Sequence, residues 1–293
     1  MQWTSWCRFD PELSLNAKTL AEILNGGQAF RWNQSKDGDW VGQWAQCIAR
    51  VRLDNKGILE WSSPKKLRKQ VTSEISHYFA LDINFPAIID QLPYRSDEVL
   101  ADALVRWKGL RLLRQPMSET LLAFLCSSTK RITQIKIICE TLSNKFGEVV
   151  IDQYKALPTW EALNELSESA LRTCKMGYRA RFIKGTANIL TEQPSYLSDI
   201  EKLCLPEARR ALIALPGVGE KIADCVLLFG SGRLEAFPVD IWILRAMVKH
   251  YGLEGWKPRQ VAHFGSTHFG PYAGLVQQYL FAGERGGSKK VII

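Results

Sequence analysis

The strongest candidates for catalytic residues are a lysine and an aspartate in segment 215–240. Lys221 ends the run Leu-Pro-Gly-Val-Gly-Glu-Lys at 215–221, and Asp240 follows a Pro-Val pair nineteen residues later. Apolar residues at helical spacing lie on both sides of the glycine turn, which predicts a helix-hairpin-helix over 206–230. Glycines let a backbone approach a phosphate, and the second helix begins with free N–H groups and a positive dipole end. The residues predicted to contact a DNA backbone are Gly217, Val218 and Gly219. An ordinary interhelical turn is the alternative interpretation.

Lys221 is a candidate nucleophile. A primary amine can attack C1′ of a deoxyribose only after it has lost its proton. An ordinary lysine has a pKa of about 10.4, so only about one molecule in 2,500 is neutral at pH 7. The helix dipole supplies about 0.3–1 kcal/mol of the about 4.6 kcal/mol required, and removal of water must supply most of the rest. A second phosphate contact or a solvated surface lysine is the alternative interpretation.

Asp240 has two compatible interpretations. It precedes an amphipathic helix and is therefore a credible N-cap. A fixed carboxylate there would also stabilise the oxocarbenium character that develops on a sugar as its base leaves. The same charge near Lys221 would favour the protonated amine, and the sequence leaves open which effect is larger. Asp224, one helical turn after Lys221, is the rival acid, which we interpret as structural.

Composition limits the class of protein. The net charge of +8 favours a polyanionic partner without proving one. The seven cysteines are dispersed with no Cys-x-x-Cys pair, as in reduced intracellular proteins, and their spacing excludes the four-cysteine loop of an iron–sulfur cluster. The four histidines show no zinc spacing. We therefore expect neither a metal nor a cofactor.

Targeting and membrane signals are absent from the sequence. The N-terminus has no basic segment followed by an apolar stretch, and no run of about 18 apolar residues occurs. We expect a soluble intracellular protein that associates with DNA and not with a membrane.

Two regions differ in their hydrophobic pattern. Short strands are predicted at 40–44, 47–53 and 58–61, followed by a helix with Ser63 as cap and Pro64 at its start. From about residue 96 the pattern is helical, with helices predicted at 132–147, 159–166, 167–174, 178–192, 206–215, 219–230, 240–251, 258–268 and 271–284. The sequence thus predicts an α+β fold, with a small antiparallel β-sheet domain at 1–95 and a larger helical region at 96–293. The tail at 286–290 is predicted to be frayed.

Further motifs, in order along most of the chain, resemble those of the 8-oxoguanine DNA glycosylase/AP lyase family of the helix-hairpin-helix superfamily. Beside the hairpin and Pro-Val-Asp, they are Gly-Gln-Ala-Phe-Arg-Trp at 27–32, Leu-Arg-Leu-Leu-Arg-Gln at 110–115, Cys-Ser-Ser at 126–128, Gly-Tyr-Arg-Ala-Arg at 177–181 and Gly-Pro-Tyr-Ala-Gly at 270–274. The resemblance implies a base-excision repair enzyme that removes 8-oxoguanine from double-stranded DNA and nicks the strand by β-elimination. It implies a monomer that needs no cofactor, with Lys221 as Schiff-base nucleophile and Asp240 as its electrostatic partner.

The resemblance also implies a base pocket. Cys225 would line it, and Gly27 would offer its carbonyl to the N7–H that only the oxidised purine carries. Gln277 and Phe281 lie four apart and share a helix face, so a carboxamide could bond the base edge while a ring stacks on its face. A buried glutamine beside a core phenylalanine is the alternative interpretation of this pair.

Contacts to the opposite strand depart in part from the family pattern. By the resemblance Tyr178 would wedge into the duplex and Arg179 would hold the orphaned cytosine, although both could equally line a phosphate-binding surface. Thr129 stands where the family has asparagine, and Gln134 stands where it has a cytosine-reading arginine. Glutamine lacks the cationic fork that suits cytosine acceptors, so we predict weaker discrimination against other opposing bases. Trp242 replaces a phosphate-binding histidine of the family.

Three rival functions remain. A glycosylase for alkylated purines needs only the aspartate, and Lys221 argues against it. An adenine glycosylase with an iron–sulfur cluster is disfavoured by the cysteine spacing. A non-catalytic helix-hairpin-helix protein that binds DNA as a scaffold would have no use for a lysine, an aspartate and a base pocket together.

Overall fold

An antiparallel sheet forms the N-terminal part of the molecule. The structure is a computed structural model that describes residues 1–287. The strands of the sheet are β1 (Cys7–Arg8), β2 (Trp32–Gln34), β3 (Trp40–Trp44), β4 (Cys47–Leu53) and β5 (Leu59–Ser62). They pair in the order β1-β5-β4-β3-β2, each antiparallel to its neighbours.

Helices make up most of the remaining described residues. In chain order they are α1 (Ala17–Asn25), α2 (Arg68–Tyr78), α3 (Phe85–Gln91), α4 (Glu98–Arg106), α5 (Met117–Leu125), α6 (Ile132–Phe146), α7 (Trp160–Glu165), α8 (Glu168–Leu171), α9 (Arg179–Glu192), α10 (Tyr196–Lys202), α11 (Leu205–Ile213), α12 (Glu220–Gly230), α13 (Ile241–Tyr251), α14 (Pro258–Phe269) and α15 (Ala273–Gly287). A short hairpin of β6 (Val149–Ile151) and β7 (Tyr154–Lys155) lies between α6 and α7.

Aromatic side chains fill the space between the sheet and α2. The Trp32 indole donates a hydrogen bond of 2.9 Å to the Tyr78 hydroxyl, and the Trp44 ring stacks on Tyr78 with centroids 4.3 Å apart. Gly42, on the neighbouring strand, lies so close that an added Cβ would be 2.1 Å from the Trp32 ring. The sheet is therefore anchored by a polar bond within an apolar cluster, an arrangement that satisfies the buried indole N–H.

The segment 110–115 joins the N-terminal part to the helices. The buried side chain of Gln28 donates to the Arg111 carbonyl at 3.1 Å and accepts from the Leu113 amide at 2.8 Å. On the other side of the segment, the Tyr279 hydroxyl of α15 donates to the Leu110 carbonyl at 3.0 Å. These bonds fix the position of Gly27, which precedes Gln28, relative to α15.

The predicted α+β fold is confirmed, and so are the bounds of the strands at 40–44 and 47–53. Three local predictions are wrong. Ser63 and Pro64 do not start the α-helix: a 3₁₀ turn occupies Lys65–Leu67, and α2 begins at Arg68 without a side-chain cap. The helix predicted over 167–174 is shorter, because the chain leaves α8 through a π-helical turn at Arg172–Met176 in which Lys175 takes a left-handed φ of 61°. The β6–β7 hairpin interrupts the region predicted to be helical.

Two predictions concern the chain as a whole. The division at residue 95 stays a prediction. Of the tail predicted to be frayed, residues 286 and 287 belong to α15, and 288–290 lie outside the described residues.

Candidate active site at the helix-hairpin-helix

The turn between α11 and α12 has the form that the glycine run predicts. Gly217 has a φ of +80°, and an added Cβ would lie 2.5 Å from the Phe182 ring, so conformation and space both require glycine there. Val218 turns its side chain into the core. Gly219 is the N-cap of α12, has no side-chain capping bond, and faces open space, with no atom within 4 Å of an added Cβ. The amides of the first turn of α12 are therefore accessible to an anion.

Lys221 lies in that first turn and is half-buried. Its Nζ is 3.5 Å from the Ser127 hydroxyl and 5.2 Å from the centroid of the Phe124 ring, both from the end of α5 and the residues after it. It also lines a cavity of about 670 Å³ between the hairpin and α14. The amine thus has an aromatic ring and a hydroxyl beside it and open space on another side, a partly dehydrated setting.

Asp240 is the N-cap of α13, as its position predicts. Its Oδ1 accepts hydrogen bonds of 2.9 Å from the amides of both Trp242 and Ile243. Burial raises the pKa of this carboxyl, while the Ile243 amide bond and the positive charge of Lys221 act in the opposite direction. The carboxylate is therefore fixed by backbone bonds within electrostatic reach of the Lys221 amine.

Asp224 has a partner of its own. Its buried Oδ1 accepts a 2.6 Å hydrogen bond from the Arg209 guanidinium of α11. Burial raises the pKa of the Asp224 carboxyl, and the Arg209 charge counteracts that rise. The pair braces the two helices of the hairpin, which supports the structural interpretation of Asp224.

Gly27 and Phe281 lie close to each other. Gly27 has a φ of +116°, and an added Cβ would lie 3.0 Å from the Ile132 side chain and 3.8 Å from the Phe281 ring. Cys225 is 3% exposed, and burial raises the pKa of its thiol to about 12, although the Lys221 charge lowers it. The thiol is consequently neutral at pH 7. The structure thus brings Gly27 and Phe281 into one place and puts Cys225 one turn beyond Lys221.

Gln277 is turned into the protein. It is 3% exposed, its Nε2 donates to the Pro238 carbonyl at 3.1 Å, and its Oε1 accepts from Gln278 at 2.9 Å. This is the arrangement of the alternative interpretation, a buried glutamine satisfied by the protein. The Pro238 bond ties α15 to the residues immediately before Asp240.

Tyr178 and Arg179 differ in exposure. Tyr178 is 45% exposed, whereas Arg179 is 3% exposed. The Arg179 guanidinium donates to the Met176 carbonyl at 3.1 Å, to the Ser128 carbonyl, and to the Thr129 hydroxyl at 2.7 Å. Tyr178 is therefore available for a duplex, and Arg179 is engaged inside the protein with Thr129.

Gln134 and Trp242 also have protein contacts. The Gln134 Oε1 accepts a 2.9 Å hydrogen bond from the Arg131 amide at the start of α6, so this side chain acts as a helix cap. Trp242 is half-buried, and the Arg245 guanidinium lies 5.2 Å from the centroid of its ring. Neither contact was predicted from the sequence.

Comparison with known proteins gives the same assignment along most of the chain. Residues 12–121 match the model of the 8-oxoguanine DNA glycosylase N-terminal domain, and residues 122–267 match that of the HhH-GPD superfamily of base excision DNA repair proteins. An N-glycosylase/DNA lyase of Arabidopsis thaliana is 35% identical over 97% of this chain and 82% of its own length. The chain belongs to the 8-oxoguanine DNA glycosylase family.

Two further relatives cover the chain almost completely. An N-glycosylase/DNA lyase of Saccharomyces cerevisiae is 31% identical over 92% of this chain and 84% of its own length. The crystal structure of a Clostridium acetobutylicum 8-oxoguanine glycosylase/lyase, in complex with DNA containing cytosine opposite 8-oxoguanine, superposes with a TM-score of 0.86. It is 27% identical and the match covers 98% of this chain and 99% of that one. The predicted class, a base excision repair glycosylase with lyase activity, is confirmed at the level of the family.

Sequence reasoning about this glycosylase missed several residues of the site. Phe124 and Ser127 contact Lys221, and Ile132 lies against Gly27. Ser127 belongs to the Cys-Ser-Ser motif, but no spacing rule pairs it with a lysine 94 residues away. For Phe124 and Ile132 the sequence indicated only apolar positions in helices and no contact with the site.

Two kinds of feature are absent from residues 1–287. No group of three or more His, Cys, Asp or Glu side chains in that range could hold a metal ion. No helix in the same range combines the length and apolarity required to cross a membrane.

Proposed function

We propose that this protein removes 8-oxoguanine from duplex DNA and cleaves the strand at the same site through a Schiff base on Lys221. The observation that carries this proposal is the position of one amine. Lys221 lies in the first turn of a helix whose N-terminus is uncapped and open, and the fixed carboxylate of Asp240 is within electrostatic reach. Family membership supplies independent support.

Duplex binding would begin at the hairpin. The exposed turn at Gly217 and Gly219 presents backbone amides, which bind phosphates without reading sequence. A base inside a duplex is inaccessible to Lys221, so the damaged nucleotide must swing out of the stack. Tyr178 would fill the gap that remains, which its 45% exposure supports, and the half-buried Phe281 ring beside Gly27 would stack on the extruded base.

The chemistry would then proceed at C1′ of the extruded nucleotide. The neutral amine of Lys221 attacks C1′ and the bond to the base breaks, so that positive charge develops on the sugar. Asp240 stabilises that charge at no cost of reorganisation, because two backbone amides already hold its carboxylate. The nitrogen then loses its remaining proton and the C1′–O4′ bond opens with O4′ taking up a proton, which converts the adduct to an imine between Lys221 and the ring-opened sugar. The imine acidifies C2′, and removal of a C2′ proton expels the phosphate on C3′ and breaks the strand on the 3′ side.

Discrimination of the opposite base is proposed to be relaxed. Gln134 has no cation to offer and uses its carboxamide oxygen on the Arg131 amide. Arg179 uses its guanidinium on the Ser128 and Thr129 oxygens. A side chain that must break protein bonds before it reads cytosine contributes less selectivity than one held free for that purpose.

Borohydride trapping on a duplex containing 8-oxoguanine tests the proposed function. We expect reduction to join the native protein to the strand, and Lys221→Gln to abolish both trapping and nicking while duplex binding persists. Lys202→Gln serves as the matched control, since Lys202 is an exposed lysine paired with Asp199 and should trap normally. Trapping that survives in Lys221→Gln would contradict the proposal.

The same experiment separates the rival functions. Excision of methylated purines without trapping would indicate an alkylated-purine glycosylase. Binding without excision of any lesion would indicate a scaffold protein.

A further inference from the structure

The Ser127 hydroxyl accepts a hydrogen bond from the Lys221 amine, which also has the Cys225 thiol as a hydrogen-bond partner. The Ser127 hydroxyl donates to the Phe124 carbonyl at 2.7 Å, so the hydrogen of that hydroxyl is already committed. The oxygen can therefore only accept further hydrogen bonds, and the Lys221 Nζ lies 3.5 Å from this Oγ. Because Ser127 is 8% exposed, its position is set by the protein rather than by solvent. An acceptor fixed in this way determines where one N–H of the amine points.

The next two residues contact a different part of the site. The Ser128 carbonyl and the Thr129 hydroxyl both accept hydrogen bonds from Arg179. Thr129 has a left-handed φ of 52°, a conformation that a β-branched residue keeps only when its surroundings impose it. Three consecutive residues therefore contact the catalytic lysine at one end and Arg179, the neighbour of exposed Tyr178, at the other.

We propose that Ser127 is a positioning residue for Lys221, and that segment 127–129 couples Arg179 to the Lys221 amine. The inference rests on the proposed function. If opposite-strand contacts draw Arg179 away, the Ser128 carbonyl and Thr129 hydroxyl lose their partner and the segment is released. Ser127 lies in the same segment, so the amine changes position as well. A displacement of about 1 Å at a reacting group lowers rates by up to about 100-fold.

Single-turnover excision at saturating enzyme tests the role of Ser127. We expect Ser127→Ala to lower the excision rate constant about 10–100-fold while the Kd for the damaged duplex changes less than about 3-fold. Ser127→Thr keeps the hydroxyl and should recover most of the rate. Ser76→Ala is the matched control, because Ser76 is an exposed residue of α2 whose side chain makes no hydrogen bond within residues 1–287. An unchanged rate in Ser127→Ala overturns the proposal.

Partial misfolding of Ser127→Ala would not affect the measured rate constant. Borohydride trapping at long times counts the active molecules, so the rate constant is referred to folded enzyme. If Ser127→Ala does not fold, Ser127→Cys replaces the hydroxyl by a weak acceptor of similar shape and carries the same expectation.

A double-mutant cycle tests the coupling. Arg179→Lys removes the forked contact with Ser128 and Thr129, and we expect it to lower the excision rate less in Ser127→Ala than in the native protein. Rate effects that multiply independently overturn the coupling. Failure of Lys221→Gln to abolish trapping would instead overturn the proposed function, so the two failures are distinguishable.

Discussion

Replacement of Asp240 separates its structural role from its chemical role. Its Oδ1 accepts from the Trp242 and Ile243 amides, and the amide oxygen of asparagine can accept the same two bonds. Alanine cannot, and loss of a cap lowers the free energy of unfolding by roughly 0.5–2 kcal/mol. Each kcal/mol shifts Tm by about 2–4 °C in a domain approaching this size. Asp240→Ala should therefore melt a few degrees lower than the native protein.

Asp240→Asn should not be destabilised at pH 7. Burial raises the pKa of the Asp240 carboxyl, so its ionised form is less favourable in the folded protein than in the unfolded chain. A carboxyl of this kind stabilises the fold below its unfolded pKa and loses that contribution as pH rises through the folded pKa. At pH 7 the neutral asparagine escapes this penalty. The stability advantage of Asp240→Asn should shrink as the pH is lowered toward the raised pKa of the native carboxyl.

Both substitutions should lower excision by about 10²–10³-fold, the usual effect of removing one electrostatic contact to a transition state. Circular dichroism melting at pH 7 and at pH 5 measures the stability arm, and single-turnover excision of 8-oxoguanine measures the chemical arm. An excision rate in Asp240→Asn equal to that of the native protein would refute the electrostatic role of Asp240. Equal loss of Tm in both variants would refute the capping argument.

Two further predictions concern the hairpin and the opposite strand. Gly217→Ala should lower Tm and weaken duplex binding, because an added Cβ meets the Phe182 ring at 2.5 Å in a left-handed conformation. Gly219→Ala should keep its Tm, because its Cβ meets open space, yet weaken binding at the phosphate; unchanged binding would remove Gly219 from the interface. Gln134→Arg should sharpen the preference for cytosine opposite 8-oxoguanine in a comparison of the four opposing bases, and a native protein that already excises only opposite cytosine would contradict this account.

Features with a local physical cause were predictable from the sequence. The glycine turn between α11 and α12 follows from backbone conformation, since Gly217 is the residue that can adopt the required φ beside Phe182. Asp240 as a cap follows from the preference of aspartate for that position before an amphipathic helix. Strands β3 and β4 follow from short runs rich in tryptophan, valine and isoleucine, residues that favour strands.

Features set by distant contacts were not predictable. The helical period indicates that Gln277 and Phe281 share a face, but it does not say that Pro238 and Gln278 would satisfy the carboxamide. The inward direction of Arg179 depends on two oxygens about 50 residues earlier, which no spacing rule identifies. A sequence pattern gives the face of a helix, and only the assembled fold gives the partner.

The π-helical turn after α8 was also not predictable from the sequence. Lys175 takes a left-handed φ of 61°, a conformation that sequence rules assign first to glycine or asparagine. Gly177 has a φ of 58°, so two left-handed residues occur within the three positions before Tyr178. The sequence predicted a regular helix over 167–174, whereas the π-helical turn begins at Arg172 and leads to exposed Tyr178.

Identification of the residue that forms the covalent adduct tests the central claim most directly. The native protein is reduced with borohydride during turnover of an 8-oxoguanine duplex, digested with protease and nuclease, and the peptide that carries the sugar remnant is sequenced by mass spectrometry. We predict a single modified residue, Lys221, at the start of α12. A remnant on any other amine, or full excision without an adduct, would contradict the account.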